Sequence, residues 1–119
     1  MPAARAARHS VVVAFVTCPS RTVARRLAAR LVQARVAACV NLVSGVDSVF
    51  RWAGKVDRAR ETLLIIKTTR PRLEALRRRV VRLHPYDVPE FIAVPVAAGH
   101  APYLRWVRSS VAGPSRRQG

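Results

Sequence analysis

The sequence predicts an α+β fold of the ferredoxin-like, split βαβ type, and three observations carry that prediction. A β-branched run opens the patterned part of the chain. Two amphipathic helical stripes follow at a distance from each other. Between them lies a long stretch with strand patterning on both sides of a glycine turn. The resulting order is strand, helix, two strands, helix and strand, plus a short terminal helix. Right-handed crossovers then place both main helices on one face of the sheet.

Each element has its own warrant. Val11–Thr17 (VVVAFVT) is a continuous apolar run of strand length, suited to burial on both faces. Pro19 cannot continue a ladder, and Ser20 is a ready N-cap. Val23, Leu27, Leu31 and Ala34 then form one helical stripe, with Ala24 and Ala28 at its edge, to about Arg35. A hairpin follows. Its first arm runs from about Ala38 to Trp52 with a bulge or bend at Ser44-Gly45, its turn is Ala53-Gly54-Lys55, and its second arm ends at Thr68 after LLII. Pro71 suits the first turn of a second helix striped by Leu73, Leu76, Val80 and Leu83. Phe91–Val96 is a last strand, and Pro95 within it points to a sheet edge or a bulge. Pro102 opens a short helix carrying Tyr103, Leu104, Trp106 and Val107.

With 119 residues the chain holds one domain, assigned to residues 10–112, between a basic segment at 1–9 and a polar tail at 113–119 that are both expected to be disordered. The net charge is +16, and all but two of the 22 basic residues are arginines, Lys55 and Lys67 being the exceptions. Such a field attracts polyanions; it equally suits solvated helix faces. Cys18 and Cys39 are too few for a disulfide framework and sit in no CxxC pair, which fits a reducing, cytoplasmic setting. Cys39 reads as a small buried hydrophobe. No apolar run is long enough to span a bilayer, so no membrane partner is expected. Val11–Val16 reads as a strand and not as a signal peptide core.

The hairpin arms are about 15 residues long, against a usual strand of 5–6. Half of that hairpin overhangs the two helices, and Phe50 and Trp52 lie near its far end. An exposed edge of that length invites pairing. The hairpin is therefore expected to be an oligomerisation arm closed by neighbouring subunits, the alternative being a bend at Gly45 that folds the arm back on its own core.

The segment HPYDVPE, His84 to Glu90, is where chemistry gathers. Pro85 and Pro89 push His84 and Val88 toward extended geometry, so the loop is stiff. Stiffness suits ligand presentation, and it equally suits turning a helix into an edge strand. Imidazole, thiolate and carboxylate are ligands for copper or another divalent cation. His84, Cys18 and Glu90 can converge, because the first strand ends where the last begins.

Several segments together resemble the CutA proteins, the divalent-cation-tolerance family. They are VVVAFVTCPS, AACVNL, VFRWAGKV, ETLLIIKTT, HPYDVPE with its short strand, and YLRWV, in order, over roughly residues 10 to 111. The resemblance implies a homotrimer of ferredoxin-like subunits whose hairpins wrap across neighbours. It also implies similarity to the trimeric PII signal proteins, which hold ligands between subunits. It implies a link to tolerance of copper and other divalent ions. Trp52, Glu61, Lys67, Tyr86 and Glu90 stand at the family's recurring polar and aromatic positions, where, with Asp87 as a further candidate, they would line an intersubunit cleft for a small anionic ligand or serve as interface hydrogen bonds. For Lys67 the plainer alternative is pairing with Glu61 or Glu90. Two departures bear on the metal set: Leu83 stands where some relatives carry a second histidine, and Val16 where some carry a thiol. His84 transfers cleanly, Cys18 by proximity.

Enzyme motifs are lacking: no HExxH, GxGxxG or P-loop, and no Ser/His/Asp set that can be placed. The same fold carries RNA-recognition modules, but those stack bases on an aromatic-rich inner strand. VVVAFVT and TLLIIKTT have no such pattern, so only non-specific attraction to nucleic acid is expected, with no specific nucleic-acid partner.

Overall fold

The computed structural model describes residues 10–113, so both expected tails lie outside the described residues apart from Gly113. The elements are β1 (Val11–Cys18), α1 (Arg21–Gln33), β2 (Cys39–Trp52), β3 (Lys55–Thr69), α2 (Arg70–Leu83), β4 (Ile92–Pro95) and α3 (Ala101–Ser110). The sheet is antiparallel throughout, in the order β2-β3-β1-β4.

Alternation along β1 and β3 sorts their side chains between two faces. Ala14, Val16, Cys18, Leu64 and Ile66 are fully buried against Ala24, Leu27 and Leu31 of α1 and Leu76 and Val80 of α2. Val13, Phe15, Leu63 and Ile65 point the other way and are only half-buried. On that second face α3 packs Leu104, Val107 and Val111 against Val11, Ala38 and Val96, covering one end and leaving the rest bare. Among the described residues no helix is long and apolar enough to cross a membrane.

The expected order of elements stands, with boundary corrections that have local causes. The Ser20 hydroxyl accepts the Val23 N–H, as an N-cap does. The α1 helix ends at Gln33, two residues early. Ala34 caps it, Arg35 takes φ 60°, and the Arg35 and Val36 N–H groups reach back to the Val32 and Leu31 carbonyls. This is a Schellman motif with arginine where glycine is usual. Strand β1 includes Cys18, paired to Thr62, and β3 extends to Thr69, paired to Val11. The last strand is shorter than Phe91–Val96. It lies at the edge, paired to β1 alone, where Pro95 removes no donor that a second neighbour needs.

The hairpin has the predicted length. A bulge between Val43 and Val46, with Gly45 at φ 73°, shifts its register, and Trp52 pairs with Lys55 across a two-residue turn. Ala53 and Gly54 both take positive φ there, the primed-turn geometry that matches strand twist. Beyond the bulge the arms leave the helices behind: Val49, Trp52 and Val56 are each at least 60% exposed. The chain consequently measures 49 × 31 × 23 Å.

Candidate functional site

Helix α2 stops at Leu83 because Pro85 forces His84 out of the helical region, to φ −78° and ψ 141°. The His84 N–H still closes on the Val80 carbonyl at 2.9 Å. The imidazole, 7% exposed, turns inward to the end of β1. Its Nε2 lies 2.8 Å from the Thr17 carbonyl, and its Nδ1 accepts the Tyr86 N–H at 3.1 Å. A carbonyl can only accept, so Nε2 carries the proton and the ring is held as one neutral tautomer. Both nitrogens are thus engaged by backbone.

The Tyr86 ring tilts against His84 at 4.7 Å, and its hydroxyl donates to Glu61 Oε2 at 2.8 Å. Glu61 is buried on β3 just past the bulge, opposite Val46. Burial, with the Glu61 bond and charge added, pushes the Tyr86 phenol up to about 12. Cys18 lies one residue beyond Thr17 on the helix-covered face. Burial foremost, then the Glu61 charge, pushes its thiol up to about 11. The Thr17 hydroxyl reaches Glu90 Oε1 at 3.5 Å, and Asp87 is exposed nearby in the loop.

A single chain therefore brings Cys18, Glu61, His84, Tyr86 and Glu90 to one corner where β1, β3 and the loop meet. Trp52 and Lys67 are not part of it. Each lies about 20 Å from Glu61 along the strands, in opposite directions. Lys67 bonds to Asn41 Oδ1 and pairs with neither Glu61 nor Glu90. Cys39, expected to be buried, is half-exposed on the second sheet face with its thiol toward Asn41 Oδ1. Thr17 was missed by sequence reasoning, although it joins His84 and Glu90 through two different atoms. Its polar side chain closing an apolar run was the available signal.

The donor set does not fit a resident metal within the chain. His84 has no free nitrogen, Cys18 is a neutral thiol at ordinary pH, and no three His, Cys, Asp or Glu side chains among the described residues form a group that could hold an ion.

Residues 12–110 match the family described as CutA1 divalent ion tolerance protein. The chain belongs to that family. The divalent-cation tolerance protein CutA of Thermus thermophilus is 48% identical over 98 residues, which is 82% of this chain and 95% of that one. Human protein CutA is 48% identical over 99 residues, 83% of this chain but 55% of that longer protein. Among crystal structures, CutA from Xylella fastidiosa superposes with a TM-score of 0.84 at 40% identity, covering 86% of this chain and 98% of that one. CutA1 from Oryza sativa gives 0.84 at 43% identity, covering 87% and 95%. The fold is thereby shared with CutA proteins of a bacterium and a plant.

Proposed function

We propose that this CutA family member works in divalent-cation tolerance as a homotrimer of ferredoxin-like subunits, with its functional cleft at the subunit boundary beside HPYDVPE. The observation that carries the reading is the bare half of the sheet. Phe15, Leu63 and Ile65 have no helix over them, and Ile92 and Val94 are 57% and 46% exposed beside them. A contiguous apolar face of this kind on a soluble chain marks an interaction surface. The hairpin overhang supplies the arm that reaches a neighbour.

The corner's charge supports a cation over a small anion. Glu61, Asp87 and Glu90 are three of the chain's six carboxylates, gathered in one place on a molecule of charge +16. Glu90 and Asp87 are exposed and can meet a passing ion, with copper the first candidate. His84 serves there as a fastener between the loop and β1. Two free cysteines are consistent with a reducing, cytoplasmic setting.

The test is a copper titration against a competing chelator, with light scattering on every sample. We expect a mass near three times 13.2 kDa and copper uptake that is lost in the double variant Asp87→Asn/Glu90→Gln. A mass near 13.2 kDa sinks the trimer. Unchanged uptake in the double variant sinks the carboxylate rim. Loss of uptake in His84→Ala, with mass and melting preserved, would make the imidazole a ligand after all.

A further inference from the structure

We propose that the outer helical layer is a docking surface for the phosphate backbone of double-stranded nucleic acid, bound without regard to sequence. Helix α1 carries four arginines and no carboxylate; α2 carries six arginines and one carboxylate, Glu74. These two helices thus hold a net charge of nine out of the chain's net +16. The longer β2–β3 hairpin, with five basic and three acidic residues, holds a net two. The charge is a property of one layer and not a uniform coat.

Helix stability accounts for only part of this placement, since Arg30 and Arg82 lie in last turns where the macrodipole favours cations and the other arginines do not. Arg21, Arg70 and Arg72 sit in first turns, where the macrodipole disfavours cations, and neither helix has an acidic residue in its first turn. Arg26 with Arg30 and Arg78 with Arg82 are like-charge i,i+4 pairs, each mildly destabilising in an isolated helix. All four side chains are exposed and make no hydrogen bond or ion pair with another described residue, and Glu74, one turn before Arg78, is the one acid among the described residues within reach of their charge. An anion laid across them relieves a repulsion that the fold itself leaves standing.

The chemistry selects the anion. Guanidinium forks pair with phosphate oxygens in bidentate fashion. Each pair is spaced by about 6 Å of helix rise, so the charges form rows and not a single pocket. Arg26 and Arg30 border a shallow groove of about 140 Å³ floored by Val23, Leu27, Leu83 and Pro85. A bilayer surface is a poorer match, because interfacial helices offer lipid an apolar face, and here those faces are spent in the core. Single strands are also poorer, since they want aromatic stacking platforms and neither helix has an aromatic residue.

The experiment measures binding of a labelled mixed-sequence DNA duplex of about 20 base pairs over a salt series, with the full chain and its mass checked in each sample. The first variant is Arg26→Gln/Arg30→Gln/Arg78→Gln/Arg82→Gln. The second removes the same charge from the termini: Arg5→Gln/Arg8→Gln/Arg116→Gln/Arg117→Gln. We expect the wild type to bind at about 150 mM salt. The helical variant should lose at least about tenfold in affinity and flatten the salt slope by about three. The terminal variant should lose much less. Equal losses in both variants, or a greater loss in the terminal one, overturn the proposal. So does absence of duplex binding, a preference among duplex sequences, or tighter binding to anionic phosphatidylserine vesicles than to duplex at the same salt.

Discussion

The two faces of the sheet are built from the same strands, one residue out of phase, yet they end in different states. Toward α1 and α2, Ala14, Val16, Leu64 and Ile66 are wholly removed from water. Away from them, Val13, Phe15, Leu63 and Ile65 keep part of their surface, and Ile92 and Val94 keep about half. The two faces have similar hydrophobicity and differ in what covers them. The lesson is that apolar patterning measures how much surface must be covered, without saying whether the cover belongs to the same chain.

The largest expected effect tests that contrast directly. Leu64→Ala should cost about 3–5 kcal/mol in urea unfolding, because it leaves a cavity in a closed core. Leu63→Ala, its neighbour on the other face, should cost less than half of that in dilute protein, and should show its effect as a weakened assembly in a light-scattering dilution series. Equal losses in dilute, monomeric protein would mean that the second face is already as closed as the first.

An intermediate effect uses the two cysteines, one on each face. The Cys18 thiol is raised from an ordinary 9.0 to about 11 and the Tyr86 phenol from 10.0 to about 12, both because burial disfavours the charged form. In each case the folded value lies above the unfolded one. The associated stability is complete below about pH 9 and is lost as pH rises through 11 to 12. The urea midpoint should therefore hold up to about pH 8 and fall beyond about pH 9. Tyr86→Phe together with Cys18→Ala should flatten that fall. At about pH 8 a thiol reagent should label Cys39 and spare Cys18; equal labelling of both would contradict the burial contrast.

The smallest effects concern Arg35 and Ala53, the two non-glycine residues with positive φ among the described residues. Arg35→Gly should stabilise by roughly 0.5–1 kcal/mol, since it relaxes the left-handed C-cap of α1. Ala53→Asn at the hairpin tip should give a few tenths of a kcal/mol at most, because that tip is exposed. Urea midpoints of the two variants compare the covered and the overhanging halves on equal terms. A larger gain at Ala53 would mean that the tip is coupled to the core.

The corner at HPYDVPE was only partly legible. His84, Tyr86 and Glu90 announced themselves by being polar in a proline-stiffened loop, and Cys18 followed from strand order. Thr17 did not, since its carbonyl carries half of its role and every residue has one. Lys67 was drawn toward Glu61 by charge alone, whereas β2–β3 register sets it across from Cys39 and in reach of Asn41. Cys39 was misjudged for the same reason: its strand is apolar, but its face is the bare one.

By itself the sequence determined the order and kind of every element, the bulge at Gly45, the capped start of α1 and the edge position of the Pro95 strand. These rest on local causes: alternation, helical periodicity, and the backbone limits of proline and glycine. Tertiary structure alone decided which face each strand residue takes, that the His84 imidazole is spent on Thr17 and Tyr86, and that half the sheet lies bare. Those outcomes rest on contacts between residues far apart in the chain, such as Thr17 and Glu90 at a separation of 73. No local pattern encodes a partner that distant; it exists only once the strands have paired.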